Sequence, residues 1–269
     1  MEERGRERPK SVEEFLANIP ETDAFEFPLL FRGQTRDWPI KPKLYRLDPK
    51  KTAKAGSWHR LETTLIHEFG DFSQPYLHMQ PGSYLDWLIL AQHHGMPTRC
   101  LDWTSNPLVA LFFAVNDEDS SQPGVVHLNS IDEIFYQRKT PKQLESEEDA
   151  FWIRPPRIHG RYVRQQSFLQ VCPTPKNFEE YVYKKNRNCQ NPNEPDLMKP
   201  TFTIAGELKS KFMKSLYRLG INWDFLFGDL DHLCKTIEWK LNHYNIDHFN
   251  TIRTFESFLP PGTTSLTGF

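Results

Sequence analysis

Apolar and polar positions along the first half of the chain change period several times, and each change marks an element. Residues 11–18 set Val12, Phe15 and Leu16 behind Ser11, with Glu13 and Glu14 near the start, which predicts a short capped helix. Residues 25–31 are dense in aromatic and apolar side chains and predict a strand. Residues 36–47 show no period, contain prolines and end in Lys43-Leu44-Tyr45-Arg46, an irregular segment. Leu61, Leu65, Ile66 and Phe69 carry helical spacing across residues 58–72, and Tyr84, Leu85, Trp87, Leu88, Leu90 and Ala91 do so across 84–93. Residues 106–115 are the clearest buried helix. Asn106 suits its cap and Pro107 its first position, and an unbroken apolar run follows.

The second half is sparser. Strands are expected at residues 124–128, 161–171 and 202–204, the middle one carrying Tyr162, Val163, Phe168, Leu169 and Val171. Residues 208–219 form an amphipathic helix closed by Gly220, and 229–241 form a last helix. Residues 117–123 read as a turn, 137–150 as a polar, acidic excursion, and 184–200, rich in Asn and Pro, as a surface loop. No segment repeats. Helices cluster early and strands are scattered, so the expected fold is a single α+β domain. Residues 25–245 would form it, preceded by a segment (1–24) with one short helix and followed by a loose tail (246–269).

Composition narrows the partners. With 33 Lys+Arg against 35 Asp+Glu, the net charge of −2 leaves no whole-chain basic field for holding nucleic acid without specificity. A local patch is still available at Arg154, Arg157, Arg161 and Arg164, with His159 among them. The 20 Phe, 9 Tyr and 7 Trp supply flat walls suited to a ring system, although a simple aromatic core accounts for most of them. Four cysteines, at 100, 172, 189 and 234, form no C-x-x-C pair, so no zinc knuckle or dithiol motif is expected. No apolar run approaches the roughly 18 residues needed to span a bilayer. The charged start, Met1-Glu2-Glu3-Arg4-Gly5-Arg6, lacks the apolar stretch of a signal peptide. A cytoplasmic protein with free thiols and no membrane partner is the expectation.

The chemistry concentrates in two blocks. Arg32 closes an apolar strand and precedes Gly33 and Gln34. Its guanidinium fork suits a phosphate, and Gly33 lets a ligand or a second backbone approach. A structural pairing of Arg32 with a carboxylate such as Asp102 is an equal alternative. The second block runs from Gln92 to Thr104 and sets His93, His94, Thr98, Arg99, Asp102, Trp103 and Thr104 between two helical patterns. On a strand, Leu101 and Trp103 point one way while Asp102 and Thr104 point the other, a compact polar surface. Alternatively Asp102 and Thr104 cap the following helix. His93 and His94, about 100° apart on a helix, are awkward joint metal ligands, so a hydrogen-bonding, proton-handling or core role ranks above a metal. Gln165 and Gln166 would face opposite sides of their strand, and one could fix a ribose hydroxyl or an amide. There is no G-x-G-x-x-G, G-x-x-x-x-G-K-[ST], G-x-S-x-G or H-E-x-x-H, which argues against Rossmann, P-loop, hydrolase-elbow and zinc-protease chemistry.

Phe31-Arg32-Gly33-Gln34, the run from Ala91 through Pro107, then Ala110 and Phe113-Ala114 together resemble the FRG domain, a family named for its Phe-Arg-Gly strand end. Arg161 with Gln165-Gln166, and Phe227 with Asp229-Leu230-Asp231, are weaker matches. The motif order is similar to that of ADP-ribosyltransferases, which implies a split β-sheet core with N-terminal and flanking helices, and NAD as the substrate cofactor. On that resemblance Arg32, Gly33, Gln34, His94, Thr98, Arg99, Trp103 and Thr104 would hold NAD. Trp103 or a nearby aromatic would stack on the nicotinamide, and Arg32, Asp102, Gln165 and Gln166 would carry the chemistry. The third strand offers glutamines where that pattern has a Glu, and Ser167 follows them in place of a Gly, so the carboxylate would have to come from Asp102 or Glu207. The resemblance implies transfer of ADP-ribose to RNA, DNA or protein, and the cluster from Arg154 to Arg164 slightly favours nucleic acid. It also implies a toxin of a toxin–antitoxin or phage-defence system, restrained by an antitoxin partner. The alternative is a nucleotide-sensing or partner-binding module with the same fold and no turnover. A nuclease using His93, His94 and Asp102 ranks last, because their spacing supplies neither a metal site nor a general-base pair.

Overall fold

Among the described residues six strands form one sheet in the order β4-β5-β2-β1-β3-β6, with every neighbouring pair antiparallel. The strands are β1 (Leu29–Gln34), β2 (Cys100–Thr104), β3 (Gly124–Ser130), β4 (Phe151–Ile153), β5 (Ser167–Val171) and β6 (Phe202–Ile204). The computed structural model describes residues 7–21, 29–48, 53–77, 79–117, 119, 121–131, 140–146, 149–155, 160–174 and 201–244. The expected loop at 184–200 and the tail from 246 lie outside them, as does most of the strand expected at 25–31, whose described part is shifted to Leu29–Gln34.

Helices cover the sheet, six of those described where the apolar periods placed them. Those used below are α1 (Val12–Ala17), α2 (Trp58–Ser73), α3 (Tyr84–His93), α4 (Pro107–Val115), α5 (Pro141–Glu145), α6 (Gly160–Arg164), α7 (Lys209–Arg218), α8 (Trp223–Phe227) and α9 (Leu230–His243). Local caps set many of their starts. Ser11, Ser57, Ser83, Asn106 and Asp229 each accept a hydrogen bond from a first-turn N–H, satisfying a donor the helix itself cannot.

The sheet consists of two ladders joined narrowly. β1 pairs with β3 over six residues and β2 with β5 over five, but β1 meets β2 at one register pair, Phe31↔Thr104. Alternation along the strands sorts the core. Phe31, Val126, Phe202 and Ile204 pack under α4 and α7. Cys100, Leu169, Val171, Phe151 and Ile153 pack under α3 beside them. Leu30, Leu101, Trp103, Trp152 and Phe168 form a separate cluster with Tyr45 and Trp58. Two glycines let α4 lie against the sheet. A Cβ on Gly33 would sit 1.8 Å from the Ala110 carbonyl oxygen, and one on Gly124 2.0 Å from that of Ala114. The buried Lys209 closes the far edge, its Nζ donating to the Asp117 carboxylate at 2.7 Å and to the Thr35 carbonyl at 2.9 Å.

Two expectations are corrected. The strand expected at 161–171 is a helix, a turn and a strand. Gln165 N–H donates to the Arg161 carbonyl at 2.9 Å and Gln166 N–H to that of Val163 at 3.1 Å, which continues the helix. Gln166 then reverses the chain at a φ of 46°, and β5 begins at Ser167. Gln165 and Gln166 therefore lie in a turn, not on opposite faces of a strand. The polar excursion at 137–150 contains a helix, α5, held by a capping box between Thr140 and Gln143.

Candidate functional site

Beyond Phe31↔Thr104 the two ladders part, and the Asp102 carbonyl no longer faces a ladder donor from β1. Arg32 supplies one: its Nη1 donates to that carbonyl at 2.6 Å. A backbone acceptor at a fork needs such a partner, and a guanidinium can span a gap that a strand N–H cannot. The Asp102 carboxylate lies on the other face of β2, with Cys100 and Thr104, where it accepts from Gln92 Nε2 at 2.8 Å. Gln92 Oε1 in turn accepts from the Thr98 hydroxyl, and Thr98 Oγ1 accepts from the Cys100 N–H at 3.2 Å. Thr98 is buried and Asp102 exposed, so this chain aims a fixed carboxylate at solvent. Arg32 and Asp102 are thus joined through backbone, a different link from the carboxylate pairing considered above.

The ground beside Asp102 comes from the second half of the chain. Tyr162 donates to the Ile89 carbonyl at 2.8 Å, and burial, reinforced by the Asp102 charge, pushes its phenol up from the ordinary range. Arg161 Nη1 donates to the His93 carbonyl at 3.2 Å, and its guanidinium lies 4.5 Å over the Phe227 ring. Phe227 stacks on His232 at 3.8 Å, and His232 Nδ1 lies 2.6 Å from Asp229 Oδ1. The His232 backbone N–H first, then its ring, hold the Asp229 carboxyl below its usual value. Its folded pKa is depressed, so the stability it contributes is present above the unfolded value and is lost as pH falls through the folded one. Asp229→Ala will destabilise by about 1 kcal/mol at neutral pH, the cost of a lost cap. In thermal melts the gap to wild type will shrink below about pH 4, where aspartate takes up its proton. A constant gap across that range would refute the ionic part of this account.

The structure separates the expected site residues. Arg99 is a correction: it is buried, its backbone N–H and Nε donate to Glu62 at 2.8 and 2.6 Å, and its Nη1 donates to the Leu144 carbonyl at 2.9 Å. It ties β2 to α2 and α5 and reaches no cleft. Trp103 is a second correction. It is buried edge-on to Trp152 at 5.4 Å with Nε1 on Gln170, so it is a core ring, not a stacking platform. Gly33 serves the close approach of α4, and Gln34 Nε2 donates to the Trp38 carbonyl at 2.8 Å. Thr104 Oγ1 donates to the Gln165 carbonyl at 2.6 Å and accepts from the Asn106 N–H at 3.0 Å, while the cap of α4 is Asn106 and not Asp102 or Thr104. His94 is the exposed C-cap of α3.

Gln165 is buried, with Nε2 on the Leu226 carbonyl at 3.2 Å. Gln166 is exposed, and its Oε1 accepts from Ser105 Oγ at 3.3 Å. Gln166 lines a cavity of about 240 Å³ with Ser105, Arg154, Tyr162 and Phe168. That is smaller than the roughly 300 Å³ at which ordinary ligand sites begin, so it suits one moiety of a larger molecule. Three arginines of the expected basic patch are described. Arg154 lies 4.8 Å over Phe168, Arg161 lies over Phe227, and Arg164 packs on Gly228, while Arg157 and His159 lie outside the described residues. Gln92, Tyr162 and His232 were not foreseen as site residues. Burial raises the Cys100 thiol well above its ordinary value, so it is no thiolate nucleophile. Among the described residues no three His, Cys, Asp or Glu side chains group to hold a metal ion, and no helix is long and apolar enough to cross a membrane.

The Arg32 fork, the Gly33 contact and the Gln92–Asp102 link all fall within residues 28–123, the stretch that matches the family model of the FRG domain. The chain carries an FRG domain. No curated protein and no solved structure matches the chain. The FRG stretch spans β1, α2, α3, β2 and α4 and stops one residue before β3. Arg161, Gln166, Phe227 and His232 lie beyond it, so the FRG match covers the fork and the carboxylate but not the surface beside them.

Proposed function

We propose that this chain is an ADP-ribosyltransferase that uses NAD and modifies a macromolecule. The observation that carries the reading is the fork: a sheet whose two ladders meet at one residue pair, with Arg32 bridging them. A split sheet with an Arg at the end of its first strand is the arrangement the family resemblance implies. A guanidinium fork fits a phosphate or ribose oxygen of NAD. Breaking the nicotinamide–ribose bond builds positive charge on the sugar, which a fixed carboxylate stabilises. Asp102 is the acid the geometry favours, because Gln92 orients it and it faces solvent. Gln166 can fix a hydroxyl from its exposed turn. The same resemblance supports a toxin role under an antitoxin's restraint.

Labelled NAD incubated with the full chain and candidate acceptors tests this. Nicotinamide release and label transfer are expected, falling about 100-fold or more in Arg32→Ala and Asp102→Asn. The Asp102→Asn fold will survive, because that side chain is exposed. Undiminished release in both variants would refute the assignment. One observation favours a second reading, a nucleotide-binding module without turnover: the turn before β5 carries glutamines where a catalytic Glu is expected. NAD binding without release under any condition would establish that reading.

A further inference from the structure

The chain after β1 does something unusual with a tryptophan. Trp38 is 52% exposed, although burying an indole is among the largest apolar gains a side chain offers. It is not a loose loop tip. Its N–H donates to the Arg36 carbonyl at 2.9 Å, its carbonyl accepts from the buried Gln34 side chain at 2.8 Å, and Ile40, two residues on, is core. The backbone is therefore pinned while the ring is presented. The Arg36 guanidinium lies 5.7 Å from the indole centroid, with one nitrogen on Asp119 at 3.0 Å. Residues 36–46 carry four cations (Arg36, Lys41, Lys43 and Arg46) against one acid, Asp37, a net of +3 in a chain whose total is −2.

This segment borders the fork. Leu44 N–H donates to the Thr98 carbonyl at 3.1 Å, and Lys43 Nζ donates to the Gly95 carbonyl, so it runs beside the loop that leads into β2. A pre-set aromatic face among cations is what a single-stranded nucleic acid requires: bases stack on the ring whatever their identity, and phosphates meet the cations. A duplex hides its base faces and gains nothing from the indole. We infer that the lip formed by Arg36, Trp38, Lys41 and Lys43 binds single-stranded nucleic acid. Its role as the acceptor strand rests on the transferase reading above, whereas the binding itself does not.

The test uses the full chain without NAD and fluorescent single-stranded oligonucleotides of about 12 nucleotides, dT and rU, with a duplex for comparison. Single strands are expected to bind more tightly than duplex, with affinity falling as salt rises. Trp38→Ala will weaken binding roughly 5- to 150-fold, Trp38→Phe will keep most of it, and Lys43→Gln will lower the salt slope by about one. No binding of single strands, equal binding by Trp38→Ala, or a preference for duplex overturns the inference, and label transfer to protein alone in the NAD assay overturns the acceptor role. Trp38-dependent binding without nicotinamide release upholds the lip and overturns the transferase.

Discussion

Replacing Arg99 with methionine while Glu62 stays in place will cost about 3–5 kcal/mol of stability, the usual consequence of breaking a buried ion pair from one side. Both side chains are essentially inaccessible, at 1% and 0% exposure. The variant would keep one backbone hydrogen bond to the Glu62 carboxylate and lose the guanidinium that balances its charge. The loss reaches further, because Arg99 also donates to the Leu144 carbonyl and so fastens α5 to β2. For a chain of this size the melting temperature should fall by about 10 °C or more. Glu62→Leu in the same background should restore much of the loss, since an apolar pair tolerates burial. Differential scanning calorimetry of both variants decides it. A single-variant cost under about 1 kcal/mol would show that the pair is not coupled as the geometry implies.

The same pair shows where sequence reasoning loses its grip. Arg99 stands in a polar run with Gly and Pro nearby, so it reads as a ligand; its partner lies 37 residues upstream. The available signal was Glu62 itself, an acid beside Leu61 in the helical pattern that faces the core. A polar residue at an inward position asks for a buried partner. Helices were legible because their information is local: the period of Leu61, Leu65, Ile66 and Phe69 and the caps at Ser57, Ser83 and Asn106 all lie within a turn of the element they define. The turn at Gln166 was not legible, because glutamine is an uncommon occupant of a positive φ and carries none of the usual glycine or asparagine cue. β4, three residues long, is too short for any alternation to register.

The candidate site divides along the same line. That Arg32 and Asp102 belong together followed from the family motif. That they meet through the Asp102 backbone did not, since strand register is written in neither segment alone. Trp103 illustrates the complementary failure. Alternation correctly put it on the face opposite Asp102, and that face is core. Trp38, an exposed aromatic, lies in a stretch without any period, where no alternation reveals its exposure.

Gly33→Ala should be the most damaging single methyl in the chain. The added carbon would sit 1.8 Å from the Ala110 carbonyl oxygen and 2.8 Å from the Ala114 nitrogen, both backbone atoms that no rotamer change can move. α4 would have to lift from β1, and its Val109, Ala110, Phe112 and Ala114 are all fully buried against neighbours packed at near-crystalline density. Overpacking usually costs about 1–3 kcal/mol, but that range assumes side chains that yield. Here the cost should exceed about 4 kcal/mol, enough to leave much of the protein unfolded or insoluble. The consequence for function follows from position. Phe31 anchors the last paired residue, Arg32 crosses the fork, and Gly33 lets the helix hold that fork in place, so the Phe-Arg-Gly triplet divides one task among core, bridge and contact. The measurement is solubility and a denaturant titration of Gly33→Ala beside Gly95→Ala. Gly95 lies at a φ of 82°, where an added carbon would meet the Lys43 ammonium at an ordinary 4.0 Å, so its cost is conformational strain of about 1–2 kcal/mol and not collision. Equal losses from the two variants would mean that left-handed strain, not the closeness of α4 to β1, sets the demand for glycine in this fold.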